Sequence, residues 1–181
     1  MNTYRYNLVL SAIAFGLVAL AGASRVRASE HQCSNETLHG DYAFTIKGQV
    51  FIPDGPTFTR DGVAMTHFDG NGVVTQEDFV MQLVNVGGVP VSSSVVGNPN
   101  GFTVGETGHY TVFPDCTGEM EIDFPPVLAG GAVVKVMFVL SDEGRAIHTT
   151  VYWAQPPGAA GRVPALIHSE GFKLAPGIPR S

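Results

Sequence analysis

The chain has 181 residues, 44% hydrophobic and 14% charged, with ten Lys and Arg against sixteen Asp and Glu for a formal charge of −6. That acidic balance argues against nucleic acid and anionic membrane surfaces as partners, because both need a basic patch. With 22 glycines and 12 prolines the chain has material for many turns and little for long helices.

The first element is a predicted signal peptide over 1–28. Arg5 supplies the positive n-region, Leu8 to Leu20 is an apolar run interrupted by Ser11 and Gly16, and Val26-Arg27-Ala28 is a small-x-small site. The run is shorter than the roughly 20 apolar residues of a membrane span. Cleavage is expected after Ala28, with Ala23 as the second choice, leaving no membrane insertion in the mature chain. Removing Arg5, Arg25 and Arg27 leaves 153 residues with seven cations against sixteen acids, a charge of −9. Such a length suits one domain, here 29–174, followed by a disordered tail at 175–181. The expected location is secreted or periplasmic. There an even pair of cysteines, Cys33 and Cys116, is most simply a disulfide.

Ser34 to His39 has room for one helical turn before Gly40 ends it. It also contains the sequon Asn35-Glu36-Thr37, relevant only to a eukaryotic secretion route. From Asp41 onward short β-rich runs alternate with Gly, Pro, Asn and Asp. Eight strands are predicted: Tyr42–Lys47, Gly62–Phe68, Val73–Val84, His109–Phe113, Thr117–Phe124, Val133–Leu140, Arg145–Trp153 and Ala165–Lys173. In the fifth, Met120, Ile122 and Phe124 alternate with Glu119, Glu121 and Asp123, one face buried and one an acidic stripe. The sixth is apolar on both faces except at Lys135, which predicts partial cover on both sides. Gly87 to Gly101 reads as a long flexible loop or a weak edge strand, and Gln155 to Gly161 as a proline-initiated loop. Short links and the absence of crossover helices predict an up-and-down antiparallel barrel; a two-sheet sandwich is the alternative. Closure removes exposed edges and leaves an interior that is either filled or hollow enough for one small ligand.

The chemistry-bearing positions are few. Asp69-Gly70-Asn71-Gly72 offers two side-chain oxygens, too few for calcium, and reads as a hairpin turn. The six histidines form no HxH, HxxxH or HExxH pattern, so no metal site is expected. No nucleophile elbow, dinucleotide fingerprint or P-loop occurs, and no cofactor is expected. His148 and His168 fall in the last two strands, and Glu170 shares the His168 face; with Tyr152 they are the candidate acid/base set if they point inward. His67 is a further suspect, inward or outward with Met65 and Val63. Tyr42, Phe44, Tyr110, Phe124, Phe138 and Trp153 are candidates to line an apolar ligand pocket.

The stretches "CSNETLHGDYAFTIKG" and "GHYTVFPDCTGEMEI" resemble a type of small secreted bacterial β-barrel protein with a Cys-Ser opening, Gly-x-Tyr-x-Phe, and a Gly-x-Tyr-Thr-Val strand running into Asp-Cys-Thr-Gly. Cys33, Ser34, Gly40, Tyr42, Phe44, Gly108, Tyr110, Thr111, Val112, Asp115, Cys116, Thr117 and Gly118 carry the match. More loosely, the layout is similar to lipocalin-like and allene-oxide-cyclase-like barrels. The resemblance implies a barrel with a Cys33–Cys116 bridge and carries over no catalytic residue.

Three functions are therefore expected to compete. The first is a barrel that binds a small apolar molecule in an interior space above about 300 Å³. The second is a cofactor-independent isomerase or cyclase on the same scaffold. The third is a structural or interaction module of the cell envelope, with an exposed apolar patch near Val89 to Val96. Oligomeric state and ligand identity are not readable.

Overall fold

Period-two alternation, repeated from Tyr42 to Phe172, makes strands whose apolar faces can be buried only against one another. In the computed structural model they close into an antiparallel barrel. The structure describes residues 32–125, 131–156 and 161–176. The segment read as a signal peptide, residues 157–160 of the proline-initiated loop and residues 177–181 of the tail lie outside them. Among the described residues no helix is long and apolar enough to cross a membrane.

The strands are β1 (His39–Phe51), β2 (Thr57–Asp69), β3 (Val73–Val86), β4 (Val89–Val96), β5 (Thr103–Val112), β6 (Thr117–Asp123), β7 (Val133–Ser141), β8 (Ala146–Gln155) and β9 (Ala165–Lys173). The wall runs β1-β2-β3-β5-β6-β7-β8-β9 and returns to β1, every pairing antiparallel. β4 is the ninth strand and has a simple origin. It pairs with Val80–Val86 of β3, while β5 pairs with Val73–Asp78 of the same strand. β4 and β5 are thus the two halves of one return strand, broken at 97–102. There Asn98 N donates to Thr103 Oγ1 at 3.2 Å, and Asn100 N to Asn98 Oδ1 at 3.0 Å, holding the break in shape. Of the two readings of Gly87 to Gly101, the edge strand is the one formed. β4 ends the strand order, so its outer edge is unpaired among the described strands.

One end of the barrel is closed. A short 3₁₀ turn, Asn35–Thr37, precedes β1 and is tied to the β5–β6 turn by the Cys33–Cys116 disulfide, which joins positions 83 apart. Asn35 Oδ1 accepts from Val112 N at 2.8 Å, and the Tyr110 hydroxyl donates to Leu38 O at 2.8 Å. Leu38, Tyr42, Phe68 and Ile147 are fully buried beneath this plug. The Phe68 ring meets Tyr42 and Tyr110 edge-on at 5.4 and 5.1 Å, the arrangement aromatic quadrupoles favour. The Tyr42 hydroxyl donates to Gly144 O in the β7–β8 turn.

Two sequence expectations are corrected. The fourth predicted strand begins at Thr103, not His109, because a glycine-rich stretch is accommodated by a bulge. The outer face of β7 is not covered: Met137 and Val139 are exposed, and the polar side chains there pair with neighbouring strands, Lys135 with Glu119 at 2.9 Å and Ser141 with His148 at 3.1 Å.

Candidate functional site

The closed half of the barrel is filled by the larger apolar cluster, and the other half holds a smaller one of Val50, Ala154, Val163, Ala165 and Ile167. Between them lies a chamber of about 90 Å³ lined mainly by Phe44, Met120, Ile122, Phe124, Val136 and Val151, with Arg60, Gln76 and Asp78 on one side. It adjoins a wider pocket of about 440 Å³, with which it shares Arg60, Val96, Phe124 and Val134. That outer pocket lies between Val95 and Val96 of β4 and the Phe124–Val134 side of β6 and β7. It therefore opens at the seam where β4 faces Phe124, Ala132 and Val134. The enclosed chamber alone is below 300 Å³, and the space exceeds that size only with its mouth.

The polar side of the chamber follows from strand parity. In β2 the even positions face inward, so Arg60 shares a face with Ala64, Thr66 and Phe68, which are buried. In β3 the inward set is Val74, Gln76, Asp78 and Val80. On β5 the register slips by one residue between the Gln76–Glu106 and Asp78–Thr103 pairs. This bulge, with Gly105 at φ 86° and both Val104 and Gly105 exposed, turns Thr103 and Glu106 inward together although they are three apart. Thr66, Gln76, Asp78, Thr103 and Glu106 consequently meet inside the wall.

Their hydrogen bonds run in order. Thr66 Oγ1 donates to Gln76 Oε1 at 2.8 Å, and Gln76 Nε2 donates to Glu106 Oε2 at 2.7 Å. Glu106 is wholly buried, and its Oε1 meets no donor from any other kind of group. Its remaining neighbour is the Asp78 carboxyl, with which it interacts directly. The Thr103 hydroxyl and the Arg60 guanidinium both stand near enough to favour the Asp78 charge. Arg60 Nε also donates to Gln82 Oε1 at 3.4 Å. Burial raises the affinity of both carboxyls for a proton, Glu106 the more, because the Asp78 charge adds to the desolvation. Burial likewise lowers Arg60, against the opposing pull of Asp78. Two buried carboxyls beside one guanidinium retain one proton between them. The cluster can hold a proton in the wall behind the chamber, and through Arg60, Gln76 and Asp78 it can donate and accept hydrogen bonds inside it.

The residues singled out from sequence are distributed differently. Phe44 and Phe124 line the chamber. Tyr42, Tyr110 and Phe138 are buried in the filled core instead. Trp153 is covered by the Arg162 guanidinium, 3.9 Å from its ring centre, and does not line the chamber. His168, Glu170 and His148 lie on the outer face; His148 opposes Glu170 across β8 and β9, with Nδ1 and Oε1 3.9 Å apart. Tyr152 is the extra residue of a bulge against Lys135–Val136, which leaves it 70% exposed. His67 also points outward, its Nδ1 2.7 Å from Asp41 Oδ1. Asp69 Oδ1 accepts from the backbone N–H of Asn71, Gly72 and Val73, so the "DGNG" oxygen closes the hairpin. Among the described residues no cluster of His, Cys, Asp and Glu has metal-binding geometry.

Fold and site together define a small disulfide-bonded β-barrel with an apolar chamber and one buried polar cluster. Comparison with family models, with curated proteins and with solved structures found no match.

Proposed function

We propose that this is an extracytoplasmic barrel that binds a small, largely apolar molecule in the chamber and its mouth. One observation carries the reading: an apolar chamber at mid-barrel shares Arg60, Val96, Phe124 and Val134 with a wider pocket at the β4 seam. A barrel serving only as a scaffold has no need of that space, since cores otherwise fill to crystal density. The disulfide fits an oxidising compartment, which supports export by the N-terminal segment. The half-buried Val95 and Val96 of β4 form one wall of the mouth.

The test is titration with the uncharged fluorophore N-phenylnaphthylamine. Saturable enhancement by the purified protein, abolished in a folded Val134→Trp variant that blocks the junction between chamber and mouth, is expected. Absence of saturable binding, or binding indifferent to that substitution, defeats the proposal.

A further inference from the structure

The placement of charge within the chamber says which apolar molecules it takes. Arg60 and Asp78 are the charged residues lining the chamber, and Arg60 the one lining the mouth, among the described residues. Glu106 stands behind Asp78 with one buried oxygen that only the acid pair serves. Resting on the ligand-binding reading, we infer that the site selects amphiphiles with an uncharged hydrogen-bonding head, a hydroxyl or carbonyl, set against Arg60 and Asp78 with the apolar part directed to the mouth.

The argument is one of local neutrality. Asp78 and Glu106 touch, lie out of water and have one guanidinium beside them, so the pair keeps one proton and a single negative charge. That charge balances Arg60. A carboxylate head would bring in a second negative charge and an ammonium a second positive one, each desolvated with no free counter-charge. A hydroxyl or carbonyl brings none. It can accept from the guanidinium, and a hydroxyl can also donate to the Asp78 carboxyl, so both kinds of polar group on that wall are served. The cluster is anchored for this by Thr66, Gln76 and Thr103, which leave neither acid free to swing away. Beyond Arg60 the wall is mostly apolar, with Phe58, Val95, Phe124 and Val134 beside the uncharged Gln82 and Gln155, which suits an alkyl chain or ring and offers no further charge.

The experiment is competition against N-phenylnaphthylamine near neutral pH by four ten-carbon ligands: decanol, 2-decanone, decanoate and decylamine. Decanol and the ketone should bind at least about tenfold more tightly than either ion. In Asp78→Asn combined with Glu106→Gln, where Arg60 loses both carboxyls that could balance it, decanoate should gain about tenfold relative to decanol. In Arg60→Gln, decylamine should gain instead, which provides the check should the double variant not fold. Decanoate or decylamine equalling decanol on the wild type overturns the inference, as does an unchanged ratio in a folded variant, while leaving the chamber a binding site. Binding of the fluorophore with no competition by any of the four also overturns it. If the fluorophore itself does not bind, the ligand-binding reading falls and this inference with it.

Discussion

Gln76 donates to Glu106 across 2.7 Å from the neighbouring strand, and the hydroxyl of Thr66 fixes Gln76 from the strand beyond. One oxygen of a fully buried acid is thereby oriented by a relay through three strands, and the other is left to Asp78. Burial and the neighbouring Asp78 charge make Glu106 keep its proton longer than it would in the unfolded chain, against the opposing pull of the Gln76 donor.

Stability should therefore fall as pH rises above neutrality. Glu106 and Asp78 both have native affinities for a proton raised by burial, while in the unfolded chain they titrate near about 4. Between those limits the native state holds more protons than the unfolded one, so the unfolding free energy decreases with pH. The slope is at most about 1.4 kcal/mol per pH unit for each proton. The contribution is fully present below the unfolded value and lost as pH passes the native one. Denaturant midpoints measured from about pH 5 to about pH 9 should decline in the wild type and decline less in Glu106→Gln. A rising wild-type curve, or equal slopes in the two proteins, contradicts the assignment.

The disulfide should contribute more than its exposed neighbourhood suggests, because it closes a loop of 83 positions and ties down the turn that carries Leu38. Replacing Cys33 and Cys116 together by serine should cost about 4 kcal/mol in the chain-entropy account. Urea unfolding of the paired variant is the measurement, and a loss below about 1 kcal/mol would mean the plug is held by the packing of Leu38 and the hydrogen bonds of Asn35 and Tyr110.

Gly171 faces inward on β9, and a Cβ there would stand 2.4 Å from Cε1 and Cζ of Phe44. The Phe44 ring lies over the bare glycine and in doing so leaves the chamber open. Gly171→Ala should push that ring toward the cavity, costing about 1 to 3 kcal/mol through overpacking and weakening fluorophore binding. A variant with unchanged affinity and an unchanged melting temperature would show that the ring has another place to go.

How far the sequence discloses this molecule depends on parity. β6 is legible because Met120, Ile122 and Phe124 are large and their alternates acidic, so inside and outside differ at every step. β9 has the boundaries its alternation predicts, Ala165 to Lys173. β2 misleads, because its inward residues Gly62, Ala64 and Thr66 are small while the outward Val63 and Met65 are apolar. A barrel interior that already holds Tyr42, Phe68 and Tyr110 has room for little else on that strand, and this crowding appears in no single-strand pattern. Arg60 is hidden for the same reason, lying two residues before the predicted start of β2. Glu106 is hidden by the bulge: strict alternation from Tyr110 back through Gly108 reaches Glu106 but then misplaces Thr103. Gly105, in a run otherwise fit for a strand, is the one local sign of that slip. Asp78 faces away from Glu77, as alternation requires, yet its partner Glu106 belongs to the part of β5 that precedes the predicted strand start at His109.

The outward histidines provide the sharpest separation between the two polar groupings of the protein. His148, His168 and Glu170 project from β8 and β9 into solvent, with the His148–Glu170 pair 3.9 Å apart and both side chains at least half exposed. A pair so exposed is screened by water and contributes little to stability or to the interior field. Replacing His168 and Glu170 together by alanine should leave fluorophore affinity and the order of the ten-carbon ligands unchanged, within about twofold, and move the melting temperature little. Arg60→Gln should alter that order without touching the outer face. Should the His168, Glu170 variant lose binding while Arg60→Gln does not, the functional surface is the outside of the barrel, and the chamber is only a packing defect.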